Sequence, residues 1–102
     1  MPCVSSVTKM AHDHIVFHCS GECSPNEPCH VHLIHSPNGG TRAWCGCGPE
    51  EPKHCHIVVE RPNPNAPSEV ICAGHCETGQ KCELRETVFG GAVTYTCECV
   101  KG

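Results

Sequence analysis

Cys19-Ser20-Gly21-Glu22-Cys23 and Cys72-Ala73-Gly74-His75-Cys76 are one short phrase written twice, 53 residues apart. Each sets two cysteines around a central glycine. Outward from this phrase, the cysteines at 3, 19, 23, 29, 45 and 47 recur at 55, 72, 76, 82, 97 and 99, offset every time by 52 or 53 positions. A glycine pair precedes each closing Cys-x-Cys, Gly39-Gly40 in the first copy and Gly90-Gly91 in the second. Self-similarity at a fixed period marks a duplicated structural unit. The chain of 102 residues therefore reads as two tandem Cys-rich repeats, 1–50 and 51–102, each C-x15/16-C-x3-C-x5-C-x14/15-C-x-C. They join at Gly48-Pro49-Glu50-Glu51-Pro52, a segment of backbone breakers.

Strand signals fill the repeats. Cys29 to Ile34 alternates, Ser36-Pro37-Asn38-Gly39-Gly40 turns, and Thr41 to Cys47 returns, which is a hairpin pattern. The second copy runs Lys81 to Val88, turns at Gly90-Gly91 and returns over Ala92 to Val100. A further strand is expected at Asp13 to His18 in the first unit and at His54 to Glu60 in the second, so the copies differ in where this strand sits. Pro62-Asn63-Pro64-Asn65-Ala66-Pro67 reads as an extended loop. The expected fold is small, Cys-rich and all-β: two tandem six-Cys units, each a β-hairpin plus an extra strand, stapled by disulfides or metal.

Composition explains the staples. Leu, Ile, Val and Phe together number 18 of 102 residues, below the roughly 20% of a chain with an ordinary core. Twelve cysteines replace the missing hydrocarbon. A net charge of −4 with seven basic residues leaves no nucleic-acid footprint. No apolar run is long enough to cross a bilayer as a helix, so membrane insertion is not expected. Met1-Pro2-Cys3-Val4-Ser5 does not read as a secretory signal.

Side chains alternate along a strand, and here the alternation sorts residues by type. Ile15, Phe17 and Cys19 share a face with His12, His14 and His18 opposite. Cys29, Val31 and Leu33 share a face with His30 and His32 opposite. Cys55, Ile57 and Val59 share a face with His54 and His56 opposite. Cysteine thus points inward and histidine outward. The pairs His12/His14, His30/His32 and His54/His56 are candidate half-sites for a divalent ion, zinc or else copper or nickel. The nine histidines would also carry the net charge from −4 to +5 on full protonation, which predicts a response to mild acid. The second unit lacks this pattern, with Glu83 and Arg85 standing where His30 and His32 stand in the first.

Two readings of the sulfur stay open. Six cysteines per unit permit three bridges, paired in any of fifteen ways, among which the Cys-x3-Cys region is expected to pair with the Cys-x-Cys hairpin end, and would place the protein in an extracellular or periplasmic setting. Alternatively Cys19, Cys23, Cys45 and Cys47, with Cys72, Cys76, Cys97 and Cys99, form one zinc tetrathiolate per repeat in a cytoplasmic protein. From Cys19 to Cys55 the spacing C-x3-C-x5-C-x15-C-x-C-x7-C resembles the epidermal-growth-factor module. Gly48 to His54 departs from that module's Gly-aromatic-x-Gly stretch, and that register leaves Cys3 unused, whereas the duplication uses every cysteine.

Catalytic patterns are missing: there is no Ser/His/Asp arrangement, phosphate loop or zincin motif. Cys29-His30 and Cys55-His56 juxtapose thiol and imidazole only in sequence. The expectation is a non-catalytic binding module with a protein partner and a His-rich, metal-competent surface. The alternative is an intracellular zinc protein or an accessory subunit of a larger complex. Trp44 and Tyr95, each near a Cys-x-Cys, either cover a bridge or anchor a partner.

Overall fold

The computed structural model describes residues 3–11, 14–48 and 50–102. Every element of two residues or more among them, apart from turns, is a strand: β1 (Val4–Lys9), β2 (Ile15–Ser20), β3 (Glu22–Ser24), β4 (Glu27–Pro28), β5 (His30–His35), β6 (Thr41–Gly46), β7 (His56–Arg61), β8 (Glu69–Ala73), β9 (Gln80–Phe89) and β10 (Ala92–Lys101). None of the described residues forms a helix long and apolar enough to cross a membrane.

The strands form two four-stranded antiparallel sheets, ordered β2-β1-β10-β9 and β5-β6-β7-β8, plus the small β3-β4 ribbon. Each large sheet takes one hairpin from each half of the chain. Val7 lies opposite Tyr95 in the first sheet, and Val59 lies opposite Ala43 in the second. The cysteine offset of 52 makes these positions equivalent. The two halves are therefore arranged with approximate two-fold symmetry, exchanging hairpins.

Each half contributes two hairpins to the large sheets where the sequence showed a hairpin and one further strand. That further strand was β2 in the first half and β7 in the second, which are opposite arms of corresponding hairpins. The unrecognised arms are β1, polar in Ser5, Ser6, Thr8 and Lys9, and β8, short and beginning at Glu69. The copies thus agree in their first hairpin as well as in their cysteines.

All twelve cysteines pair, and no thiol is free. The bridges are Cys3–Cys29, Cys19–Cys45 and Cys23–Cys47, then Cys55–Cys82, Cys72–Cys97 and Cys76–Cys99. First joins fourth, second joins fifth and third joins sixth in both halves. Cα separations of 5.4 to 5.9 Å lie within the range that bridges need. Cys55 bonds Cys82 and Cys3 bonds Cys29, the register of the duplication and not that of the growth-factor module.

Cys19–Cys45 and Cys72–Cys97 tie one large sheet to the other. Val7, Ile57 and Val58 are the largest fully buried side chains, joined by buried Trp44, Cys45 and Cys29. So small a hydrocarbon core beside six bridges fits the general pattern of small stapled domains.

Candidate functional site: the histidine strand and the cleft at the join

Glu51 and Pro52 fold back against the face of β6 that carries Arg42, Trp44 and Gly46. Glu51 clamps the segment there. The Arg42 guanidinium donates through Nε to Glu51 Oε1 at 2.5 Å and through Nη2 to Glu51 Oε2 at 2.8 Å, and its Nη1 reaches Glu60 Oε2 at 2.5 Å. Hydrogen bonding to Arg42, followed by its charge, holds the Glu51 carboxyl below the usual carboxylate range against the opposing effect of burial. The same partners push Arg42 further up.

This fold-back changes the surroundings of the histidines. His56 lies under it, only 8% exposed. Its Nδ1 sits 2.5 Å from the His54 carbonyl oxygen and its Nε2 3.0 Å from Glu51 Oε2. Both ring nitrogens are engaged by oxygen partners of the protein. His56 thus has no nitrogen open to an ion. His32 stacks on Trp44 with ring centres 6.2 Å apart. Trp44 is itself 2% exposed, opposite Val58 and close to Pro52 through Gly46, so it is neither a free anchor nor a bridge cover on the cysteine face. Tyr95 is half-buried.

His30 and His32 do share one face of β5, ring centres 6.4 Å apart. His54, exposed, pairs with His75 across a short parallel bridge, and His14 is exposed at the start of β2. His12 lies outside the described residues. Among the described residues, no group of three histidines brings its ligand atoms within 4.8 Å, and the convergent groups are of cysteine. The alternation of residue types read from sequence survives in the strand register; the assignment of its two faces to protein and solvent holds on β2, where His18 is exposed between half-buried Phe17 and Cys19, and fails on β5 and at His56. A folded-back loop buries part of the histidine face, and β5 lies at a sheet edge, where Val31 and Leu33 stay 45% and 55% exposed.

The proposed thiolate sets are divided among bridges: Cys19 with Cys45, Cys23 with Cys47, Cys72 with Cys97, and Cys76 with Cys99. A cleft of about 960 Å³ opens at the join, bounded by Val4, Cys47, Glu50, Lys53, His54 and Ile57 among others. Sequence reading marked its histidines but not the cleft, because its walls come from segments about 50 residues apart. Compared with known proteins, the chain matches no family model, no curated protein and no solved structure.

Proposed function

We propose that this chain is a non-catalytic, disulfide-stapled binding module of an oxidising compartment, extracellular or periplasmic, whose partner is another protein engaged along β5. Six bridges suit such a compartment. The observation that carries the reading is the character of β5. It is an edge strand with the sequence HVHLIH, carries no Lys, Arg, Asp or Glu, and leaves Val31, Leu33 and Ile34 45%, 55% and 46% exposed. Proteins ordinarily guard such edges with charge, proline or a bulge. β5 has none of these, and its register with β6 is unbroken over six pairs.

An extended segment added to this edge gains main-chain hydrogen bonds for affinity and alternating side-chain contacts for selectivity. The cross-braced sheets keep the edge preorganised, which lowers the ordering cost of binding. His30 presents an exposed imidazole beside it that a carboxylate of the partner or a zinc, copper or nickel ion would engage, whereas His32 stacks on Trp44 with its Nε2 buried.

The test selects peptides from a display library on the oxidised protein, whose intact mass is first shown to be twelve hydrogens below the reduced value. Selected peptides should alternate apolar residues and lose roughly tenfold or more in affinity on Leu33→Lys. They should keep their affinity for Leu84→Lys, which lies on β9 at an edge of the other large sheet. Peptides that bind Leu33→Lys as tightly as the parent would sink the reading, as would an intact mass showing free thiols.

A further inference from the structure

Two bridges of the first half lie against each other. Cys3–Cys29 and Cys23–Cys47 bring four Sγ atoms within 4.8 Å of one another. Between the bridges, Cys3 Sγ lies 3.6 Å from Cys47 Sγ and 3.9 Å from Cys23 Sγ, and Cys23 Sγ lies 3.9 Å from Cys29 Sγ. A zinc tetrathiolate has Zn–S bonds of about 2.3 Å, so its tetrahedral S···S edges are about 3.8 Å. Three of the six edges already have that length. We propose that, once both bridges are reduced, Cys3, Cys23, Cys29 and Cys47 form one structural zinc site. The site is distinct from the thiolate sets suggested by sequence spacing, and it stands independently of the binding role of β5.

The positions of the four residues support it. Cys3 precedes β1, Cys23 lies in the three-residue β3, Cys29 precedes β5 and Cys47 follows β6. Opening two bonded sulfur pairs to a tetrahedral edge therefore asks little of the two large sheets. Cys19 and Cys45, by contrast, sit inside β2 and β6. Cys29 is buried, Cys3 and Cys23 are half-buried and Cys47 is exposed, so a reductant has access while the ion is largely shielded. In the second half only Cys55, Cys76 and Cys82 converge in this way, and Cys99 falls outside the group.

The chemistry balances. A dithiol reductant delivers two electrons and two protons to each bridge, giving four thiols and two oxidised reductant molecules. One Zn²⁺ then replaces four protons, giving a tetrathiolate of charge −2. A disulfide-forming oxidant that accepts four electrons restores both bridges and releases the ion, whose own oxidation state never changes.

The experiment uses the full chain, reduced by a phosphine without oxygen, stripped with chelator and titrated with Co²⁺ and then Zn²⁺. One Co²⁺ per chain should bind with the sulfur-to-metal charge-transfer and tetrahedral absorption of a thiolate site, and Zn²⁺ should abolish that absorption. In the zinc-loaded protein, alkylation of Cys3, Cys23, Cys29 and Cys47, mapped by peptide mass, should be slower than that of Cys19 and Cys45 by roughly tenfold or more. Cys3→Ser/Cys29→Ser should lose the signal. Cys19→Ser/Cys45→Ser should keep it; every sample is fully reduced, so the two variants differ from each other in the thiols they lack and not in their bridges. Absence of sulfur-to-metal absorption, protection centred on any other cysteines, or retention of the site by Cys3→Ser/Cys29→Ser overturns the proposal.

Discussion

The bridges Cys19–Cys45 and Cys23–Cys47 should be thermodynamically coupled, and the coupling can be worked from their placement. Their sequence separations are 26 and 24. Cutting a single bridge that closes such a loop costs about 3.5 kcal/mol in chain entropy. With both present, however, each closes a much smaller circuit, four residues from Cys19 to Cys23 and two from Cys45 to Cys47. A circuit of about six residues is worth about 2.2 kcal/mol in the same relation. Cys19→Ala/Cys45→Ala and Cys23→Ala/Cys47→Ala should therefore each lose about 2.2 kcal/mol from loop entropy, and the quadruple variant about 5.7 kcal/mol. The excess over additivity is about 1.3 kcal/mol. Packing losses at buried Cys45 raise the cost of the first variant but cancel from the cycle. Guanidinium unfolding of the four proteins without reductant measures it, with sulfate added equally to keep the weakest folded. A coupling within about 0.5 kcal/mol of zero would refute the circuit argument.

Removing the fold-back clamp should change the response to acid. Glu51 titrates below its ordinary value near 4.5 because Arg42 hydrogen-bonds its charged form, so its contribution is complete above that value and is lost as pH falls through the depressed one. Glu51→Gln should cost about 1–2 kcal/mol at neutral pH and flatten the acid limb of a stability-versus-pH curve; an unchanged limb counts against the clamp. Gly74 has φ +95°, and an added Cβ would collide with the His54 carbonyl. Gly74→Ala should cost about 2–4 kcal/mol by thermal unfolding, whereas Gly48→Ala, with open space around it, should stay within about 0.5 kcal/mol. Equal effects at the two glycines would show that the His54–His75 bridge contributes little.

Much of the fold was legible because cysteine spacing is a long-range signal. The offset between Cys3 and Cys55, repeated at five other positions, announced the duplication, and alternation with turn glycines announced β5, β6, β9 and β10. β1 was missed because its buried Val7 sits among polar residues and its stability comes from pairing with β2 and β10. β8 was missed because five residues at an edge carry little periodic signal. The connectivity was legible in part: each Cys-x3-Cys does pair with its Cys-x-Cys, while the order within that pairing depends on which hairpin ends meet. For the site, alternation correctly separated His30 and His32 from Val31 and Leu33, but nothing local to His56 announces that Glu51 will fold over it. The cysteine tetrad escaped for the same reason: Cys3 and Cys47 are 44 positions apart and come to 3.6 Å only through the closed fold.

The hairpin exchange sets covalent and non-covalent connectivity against each other. Each of the six bridges stays within one half, while the backbone ladders between β1 and β10 and between β6 and β7 run from one half to the other. Proteolytic scission between Cys47 and Cys55 would thus leave two separate polypeptides clasped by their central ladders, a heterodimer made from one gene product. Each fragment would keep all its own cross-links yet expose a strand edge that only the other normally covers.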